Sequence, residues 1–183
     1  MPTFFYTINI HNMACDITTG RLRECKQNLG GQSSVYLFNY VQDPFTLAAG
    51  EATGINPLLT VVYEYEITGD LNTLVENMVS DDNSGTTVNT QTLTTSLRKQ
   101  DAAASAEFNL LTYGNAQAVV KDRNGVFHCL GISEGLNWSV DASTGGARTD
   151  LNGYTITGVA QEGALSPKLD DTTITAFLQL VAA

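Results

Sequence analysis

The sequence predicts a mainly β protein, an antiparallel β-sandwich or barrel with one flanking α-helix and a long hairpin. Three observations predict this class: alternating runs rich in threonine, valine and tyrosine recur along the 183 residues, turn signals separate these runs, and a single alanine-rich run fits a helix. No βαβ alternation and no shift in composition marks a second domain. Residues 1–183 are therefore predicted to form one domain with an extended arm at about residues 70–97.

Strand signals begin early in the chain. Residues 34–40 (SVYLFNY) follow a Gly-Gly turn signal, and residues 59–68 (LTVVYEYEIT) form a second predicted strand. In that second strand the period of two places Glu64 and Glu66 on one face and the two neighbouring tyrosines on the other.

A long hairpin is predicted over residues 70–97. Residues 70–80 fit either a helical face with Asp70 as its N-cap or a strand. We favour the strand for two reasons. The turn signal DNSG follows at residues 82–85, and the threonine-rich residues 86–97 (TTVNTQTLTTSL) need a partner strand.

The second half of the chain contains one predicted helix and the remaining strands. Residues 99–112 (KQDAAASAEFNLLT) are predicted to form the helix, with Ala104, Phe108 and Leu111 toward the core and Gly114 ending it. The predicted strands after the helix are residues 117–121, 126–130, 136–140, 154–161 and 172–181. A DRNG turn joins the first two of these strands, and a polar loop covers residues 143–152.

Charge and hydropathy exclude several classes of protein. With 19 acidic residues against 9 basic ones the net charge is −10, which argues against a tight nucleic-acid binder. No run approaches the ~18 apolar residues of a membrane span, so we expect no membrane insertion by this chain. The first residues, MPTFFYTINIHNMACD, lack a basic region and a long apolar core, so we expect no signal peptide there.

The sequence offers no catalytic or metal-binding motif in the setting that its chemistry needs, so we expect neither an enzyme nor a cofactor. No HExxH, P-loop or GxGxxG motif occurs, and residues 131–135 (GISEG), which match GxSxG, lie between two predicted strands rather than between a strand and a helix, as a nucleophile elbow would. The only histidines are His11 and His128, and on a strand His128 and Cys129 would face opposite sides of the sheet. The cysteines Cys15, Cys25 and Cys129 have long spacings and are expected to be free thiols.

Two charged patterns remain as candidate sites. Glu64 and Glu66 would lie ~7 Å apart on one strand face, within range for glycoside chemistry, but no aromatic sugar platform is expected on that face. A solvated strand face is the simpler interpretation. Arg21, Arg23 and Lys26 form the one local basic cluster, which either seats a carboxylate from a neighbouring subunit or solubilises a loop.

The threonine-rich strand of the hairpin is unusual in its lack of charge. Residues 86–97 contain no Asp, Glu, Lys or Arg. Long exposed strands of this kind invite pairing at their edges. The sequence therefore predicts that this strand is a mating edge, and that the chain forms a homo-oligomer by strand-to-strand contacts.

Four segments follow one another in an order that is typical of a known family. They are residues 19–40 (TGRLRECKQNLGGQSSVYLFNY), 83–111 (NSGTTVNTQTLTTSLRKQDAAASAEFNLL), 118–131 (AVVKDRNGVFHCLG) and 143–163 (STGGARTDLNGYTITGVAQEG). Together they resemble the tail tube proteins of tailed bacteriophages, and they cover most of the chain. The chain departs from the family pattern near residues 88–90, where an aromatic residue and a glutamate are expected.

The resemblance implies a virion protein of the phage tail that is assembled in the bacterial host cytoplasm. In that family six copies form a ring, and the rings stack into a tube through which viral DNA passes without tight binding. The partners it implies are further copies of this chain and tail proteins such as the tape measure, the terminator and the baseplate. The alternatives are another component of the same fold (a terminator, ring or baseplate adaptor) or a carbohydrate-binding β-sandwich module.

The resemblance also suggests which residues would act in a tube. Carboxylates that line the bore would repel phosphates near the wall, since the Debye length is ~8 Å at ~0.15 M salt. The candidates for this lining are Glu64, Glu66 and Glu76. The candidates for contacts between subunits are Asp81, Asp82, Asn83, Ser84, Gly85, Arg21, Arg23 and Arg148.

Overall fold

Strands dominate the structure, a computed structural model that describes residues 17, 19–23, 25–67 and 69–182. This part of the chain contains β1 (Gln32–Phe38), β2 (Phe45–Ala48), β3 (Glu51–Ile55), β4 (Tyr63–Glu66), β5 (Thr73–Asp81), β6 (Thr86–Arg98), α1 (Ala102–Tyr113), β7 (Gln117–Asp122), β8 (Phe127–Leu130), β9 (Asn137–Ser143), β10 (Gly153–Glu162), β11 (Lys168–Leu169) and α2 (Asp171–Leu178). The predicted mainly β class with a flanking helix is confirmed. The predictions for residues 1–16, which include His11, Cys15 and the signal peptide, lie outside the described residues.

The strands form two sheets. The seven-stranded sheet has the order β2-β3-β11-β8-β7-β1-β4, and the four-stranded sheet has the order β5-β6-β10-β9. Every pair is antiparallel except β3 with β11, which is parallel. The predicted antiparallel architecture therefore holds for all but one pairing in the described part of the chain.

The two sheets pack face to face on a shared apolar core. Val35 of β1 and Leu93 of β6 are almost completely buried in it. Trp138 of β9 belongs to the same cluster and lies against Gly158 of β10, where an added Cβ would stand 2.7 Å from the indole ring. A side chain at position 158 would therefore displace the tryptophan.

Helix α1 packs beside this core. Phe108 is buried and meets the Tyr154 ring edge-on at 4.8 Å between centroids. The helix begins later than residue 99, the predicted start, because Lys99 has a left-handed φ of 67°. Asp101 is its N-cap and accepts a hydrogen bond from the Ala104 N–H at 2.7 Å.

The C-terminal segment corrects one prediction. The sequence predicts a strand over residues 172–181, and this is wrong, because helix α2 occupies most of that range. Asp170 caps the helix by accepting a hydrogen bond from the Thr173 N–H at 2.7 Å. Ile174 and Phe177, three residues apart, then fall on one helical face. The N-cap and this spacing override the β propensity of threonine and isoleucine.

Helix α2 covers the second face of the seven-stranded sheet. Phe177 is 0% exposed and contacts the rings of Tyr36 and Phe45 at 5.5 and 6.1 Å. Val119 and Phe127 of β7 and β8 belong to the same cluster. The layers are therefore α2, the seven-stranded sheet and the four-stranded sheet, with a core on each side of the larger sheet.

The long hairpin is confirmed as β5 and β6, but its place in the sheet differs from the prediction. β6 lies between β5 and β10, so the expectation that residues 86–97 form a mating edge is wrong for residues 89–97, which pair on both sides within the chain. This pairing accounts for their lack of charge. β10 pairs with β6 only over residues 89–98, so residues 79–81 and 86–88 continue beyond β10 as a two-stranded ribbon.

The sequence patterns do not predict three short strands of the structure. No strand is predicted at β2, β3 or β11, since β11 has two residues and the β2–β3 turn uses Ala49 and Gly50 rather than an Asn-Gly pair. β4 is also shorter than the predicted 59–68, and residue 68 lies outside the described residues. The predicted strands at 117–121, 126–130, 136–140 and 154–161 are confirmed as β7 to β10.

We predict that Phe177→Ala lowers the free energy of unfolding by about 3–5 kcal/mol, because it empties a fully enclosed position beneath α2. Leu178→Ala is the matched control at the neighbouring, 42% exposed position, and should cost less than about 1 kcal/mol. Chemical denaturation followed by circular dichroism measures both values. Equal losses in the two variants would contradict the burial pattern of α2.

Candidate functional site

The four-stranded sheet has a free margin on each side. Within the described residues β5 pairs only with β6, and β9 pairs only with β10. A free margin presents unpaired N–H and C=O groups that can pair with another chain. β5 and β9, in place of β6, are therefore the candidate pairing strands.

One face of the four-stranded sheet points away from the core and carries small polar and valine side chains. The register assigns to this open face Thr73, Val75, Asn77, Val79, Val88, Thr90, Thr92, Thr94, Asn137, Ser139, Thr155, Thr157 and Val159. Val75 and Val79 are 56% and 55% exposed. The charged residues on this face are Asp81 at one end, and Arg98 and Asp141 toward the other. The open face is thus largely uncharged.

The predicted contact regions lie at opposite ends of this sheet. The hairpin tip, residues 82–85, follows the last pair of β5 and β6, Asp81 with Thr86. Loop 144–152 joins β9 to β10 at the other end, where Gly153 pairs with Arg98. The structure therefore does not bring residues 81–85 and Arg148 together within one copy.

The hairpin tip is a well-defined turn. The Asp81 carboxylate accepts hydrogen bonds from the Asn83 N–H at 2.9 Å and the Ser84 hydroxyl at 3.1 Å. These bonds, the one from the Asn83 N–H first, lower the pKa of Asp81. Gly85 adopts a φ of 64° and donates its N–H to the Asp81 carbonyl at 2.9 Å. Asp82 is exposed, and residues 79–88 include no basic side chain.

The opposite end of the sheet gathers basic residues. Arg98, Lys99 and Arg148 are all exposed there. Asp150 lies in the same loop, and its carboxylate accepts hydrogen bonds from the N–H groups of Ala147 and Gly146, which lower its pKa and so favour its charged form. The hairpin tip therefore presents acidic side chains alone, whereas the opposite end of the sheet presents basic and acidic side chains together.

The predicted lining residues Glu64 and Glu66 lie on β4, at the margin of the seven-stranded sheet. Glu64 stands beside Tyr36, whose hydroxyl donates to the Glu64 Oε1 at 2.8 Å. Burial, followed by this hydrogen bond, raises the pKa of Tyr36 to about 12. Tyr65 packs on Phe108 on the opposite face, as the predicted alternation requires.

Glu76 faces the core side of β5 and holds the segment that leads into β11. Its carboxylate accepts hydrogen bonds from the Ser166 N–H and hydroxyl and, at 2.8 Å, from the Asn89 amide. Burial acts to raise its pKa, but the hydrogen bonds and the charge of Lys168 lower it overall. β8, β7 and β1 separate β11 from β4, so Glu76 does not meet the two glutamates of β4.

The basic cluster before β1 is exposed. Arg21, Arg23 and Lys26 precede the point where Leu29 and Asn124 exchange two hydrogen bonds of 2.9 Å, which tie the segment to the β7–β8 turn. The role of Arg21 and Arg23 between subunits stays a prediction.

His128 and Cys129 are neighbours on β8, an inner strand of the seven-stranded sheet. They face opposite sides of the sheet as predicted, with Cys129 buried under α2 and the His128 Nε2 3.8 Å from the Asp122 Oδ2. Burial, then the charge of Lys168, lowers the pKa of His128, and burial raises that of Cys129. Cys25 and Cys129 are free thiols. In the described part of the chain no group of three or more His, Cys, Asp or Glu residues could hold a metal ion.

Known proteins offer no guide to this site. No protein-family model, no curated protein and no solved structure matches the chain. Among the described residues no helix has the length and hydropathy of a membrane span. The function is therefore argued from the free margins, the open face and the charged ends of the four-stranded sheet.

We predict that Glu76→Gln lowers the free energy of unfolding by about 1–3 kcal/mol at neutral pH, because an amide oxygen replaces a carboxylate that accepts three hydrogen bonds. The folded-state pKa of Glu76 lies below its ordinary 4.5. Its contribution is therefore complete above that pH and is lost as the pH falls through the folded-state value. The stabilities of the wild type and the variant should converge in acid.

Urea denaturation over a pH series measures this convergence. Glu51→Gln, at an exposed position on β3, is the control and should leave the stability at neutral pH nearly unchanged. A gap between wild type and Glu76→Gln that stays constant into acid would show that the carboxylate charge is not what Ser166 and Asn89 recognise.

Proposed function

We propose that this chain is a structural, non-catalytic subunit that assembles with copies of itself into rings, and that the rings stack into the tail tube of a tailed bacteriophage. The observation that carries the proposal is the presence of two free margins, β5 and β9, on one sheet. The order of the four sequence segments and the acidic net charge of −10 support it.

The strand directions favour closure of a ring. β5, β6, β10 and β9 alternate in direction, so β9 of one copy would run antiparallel to β5 of the next. A contact between two different edges is head-to-tail, and such contacts form a closed ring when the rotation between copies fits. The four-stranded sheet would then continue from copy to copy around the ring.

The open face is the face that this sheet can give to a bore, because the opposite face is packed on the seven-stranded sheet. Threonine, serine and asparagine side chains would form a hydrated wall with few charges. In this arrangement Asp81 and Asp141 supply the acidic groups of the bore, in place of the predicted Glu64, Glu66 and Glu76. A wall with so little positive charge does not retain phosphates.

The charged ends of the sheet favour stacking of rings in one direction. The acidic hairpin tip of one ring would meet the opposite end of the sheet in the next ring, where Asp82 would approach one of the basic residues Arg148, Arg98 or Lys99. Both ends are loops or turns, which can reach a neighbouring copy without disturbing the core.

In this proposal the chain resides in the virion tail after assembly in the host cytoplasm. Its partners are its own copies and the tape measure, terminator and baseplate proteins, with viral DNA in transit. A terminator, ring or baseplate adaptor of the same fold is the closest alternative, and it would form single rings rather than tubes.

Electron microscopy and cross-linking test the assembly. The purified chain at high concentration should form rings or hollow tubes in negative stain. In a variant with Cys15 and Cys25 replaced by serine, Asn77→Cys on β5 combined with Ser139→Cys on β9 should give a ladder of disulfide-linked oligomers on oxidation, since the two margins meet.

Each single cysteine variant is the matched control and should stay unlinked, because neither margin meets itself in a head-to-tail ring. Val75→Cys or Val79→Cys in place of Asn77→Cys would detect the same contact if the pairing between β5 and β9 of adjacent copies is shifted by two residues. A strictly monomeric mass at high concentration, or a dimer from one single variant, would contradict the proposed ring.

A charge exchange tests the stacking of rings. Asp82→Lys or Arg148→Glu alone should shorten or abolish tubes, because each places like charges at the contact between rings, and the double variant should restore them. Asp82 and Arg148 are both exposed, so the circular dichroism spectrum of each variant should match the wild type. Tubes of normal length in both single variants would contradict the assigned contact.

A further inference from the structure

Three tyrosines converge on a cleft that the proposed assembly leaves unused. The cleft has a volume of about 390 Å³ and lies between the end of β1, β4 and helix α1. Tyr40 follows β1, while Tyr63 and Tyr65 project from β4. Tyr63 and Tyr65 lie on the face of β4 opposite Glu64 and Glu66, as the predicted alternation requires.

Two of the three tyrosine rings, those of Tyr40 and Tyr65, are held in place by contacts, and Tyr40 and Tyr63 are accessible. Tyr40 and Tyr63 are 45% and 49% exposed, and the Tyr40 hydroxyl donates to the Ser133 carbonyl at 2.8 Å. Tyr65 is half-buried and leans on Phe108, with 6.3 Å between the ring centroids. Rings that are fixed in this way offer apolar surface at little cost in conformational entropy.

Polar groups surround the aromatic surface. Asn39, Asn115 and Glu107 line the cleft, and Leu37 with Leu111 forms part of its apolar floor. Amide groups both donate hydrogen bonds to hydroxyls and accept them, and a carboxylate accepts them. The cleft thus combines a mainly apolar wall with a few convergent polar groups, the usual composition of a small-molecule site.

The charge of the groups that line the cleft indicates which charge a ligand can carry. Glu107 and Tyr65 line the same cleft, and burial, then the charge of Glu107, raises the pKa of Tyr65. Among the described residues that line the cleft, Glu107 supplies a carboxylate and none is basic. A phosphate or a carboxylate ligand would therefore be repelled. A ligand that fits has an apolar face for the rings, hydroxyls for the rim and no negative charge.

We propose that this cleft binds a neutral sugar unit of an oligosaccharide. The CH groups of a pyranose face would lie against Tyr63, and its hydroxyls would bond to Glu107 and the two asparagines. The site goes beyond the proposed assembly, and it lies on β4 of the seven-stranded sheet, whereas the assembly uses β5 and β9 of the other sheet.

Titration with maltohexaose and with chitotetraose, followed by NMR of the backbone amides, tests the site. At least one of these probes should shift the Asn39 and Asn115 resonances. Tyr63→Ala should weaken that binding about tenfold through loss of the aromatic face, whereas Tyr63→Phe should retain most of it. Tyr113→Ala, at an 86% exposed position outside the cleft lining, is the control and should bind like the wild type.

Two results would overturn the site. One is the absence of shifts at Asn39 and Asn115 with both probes at about 10 mM, a concentration that would reveal even weak binding. The other is a change in oligomer mass caused by Tyr63→Ala without a change in sugar binding, which would assign the cleft to a contact between copies. Assembly of rings by a chain that binds no sugar would leave the proposed function intact.

Discussion

Burial of one face of the four-stranded sheet is the constraint on which the rest of the structure depends. Leu93, Ile156 and Trp138 all point from that sheet into the shared core. Burial of apolar surface contributes about 25 cal/mol per Å², so the sheet has no stable position away from its partner. Of this sheet, one face and two margins remain open to other molecules. The core thus limits which parts of the four-stranded sheet a second molecule could contact.

Polar side chains fix the root of the hairpin against that core. Glu76 and Asn89 bind the segment before β11 through Ser166 and the Ala164 carbonyl. Gln91 is buried beside them, and its amide oxygen accepts the Gly131 N–H at 3.0 Å. Hydrogen bonds between buried polar groups favour one arrangement over its neighbours, because the same groups are costly to bury without partners. The direction in which the hairpin leaves the domain is therefore set by these contacts as well as by apolar packing.

Local chemistry accounts for the elements that were predicted correctly. The hairpin, α1 and the β7–β8 turn depend on residues that are neighbours in sequence, such as the N-cap Asp101 and the turn ahead of Gly125. Local chemistry does not predict which face of β6 is buried. Asn89 and Gln91 are polar and yet buried, while Val88 is apolar and points outward. Their burial depends on acceptors and donors that lie far away in the chain.

The candidate site was harder to predict for the same reason. The sequence places Glu76 on the correct strand, but its partner Ser166 is 90 residues away. Strand order decides which margins are free, and it depends on β10, which covers β6 from the far end of the sequence. The tyrosine cleft likewise joins β1, β4 and α1, and no local pattern relates these three segments.

The extension of β5 and β6 beyond β10 has a consequence for the way in which a polymer of this chain would grow. A ribbon of two strands is only marginally stable by itself in water. Residues 79–88 are therefore stabilised only weakly by contacts within their own domain, and a contact with another molecule would stabilise them more. For a chain that polymerises through this ribbon, joining an existing end is favoured over starting a new one, so elongation outpaces nucleation and few long polymers form rather than many short ones.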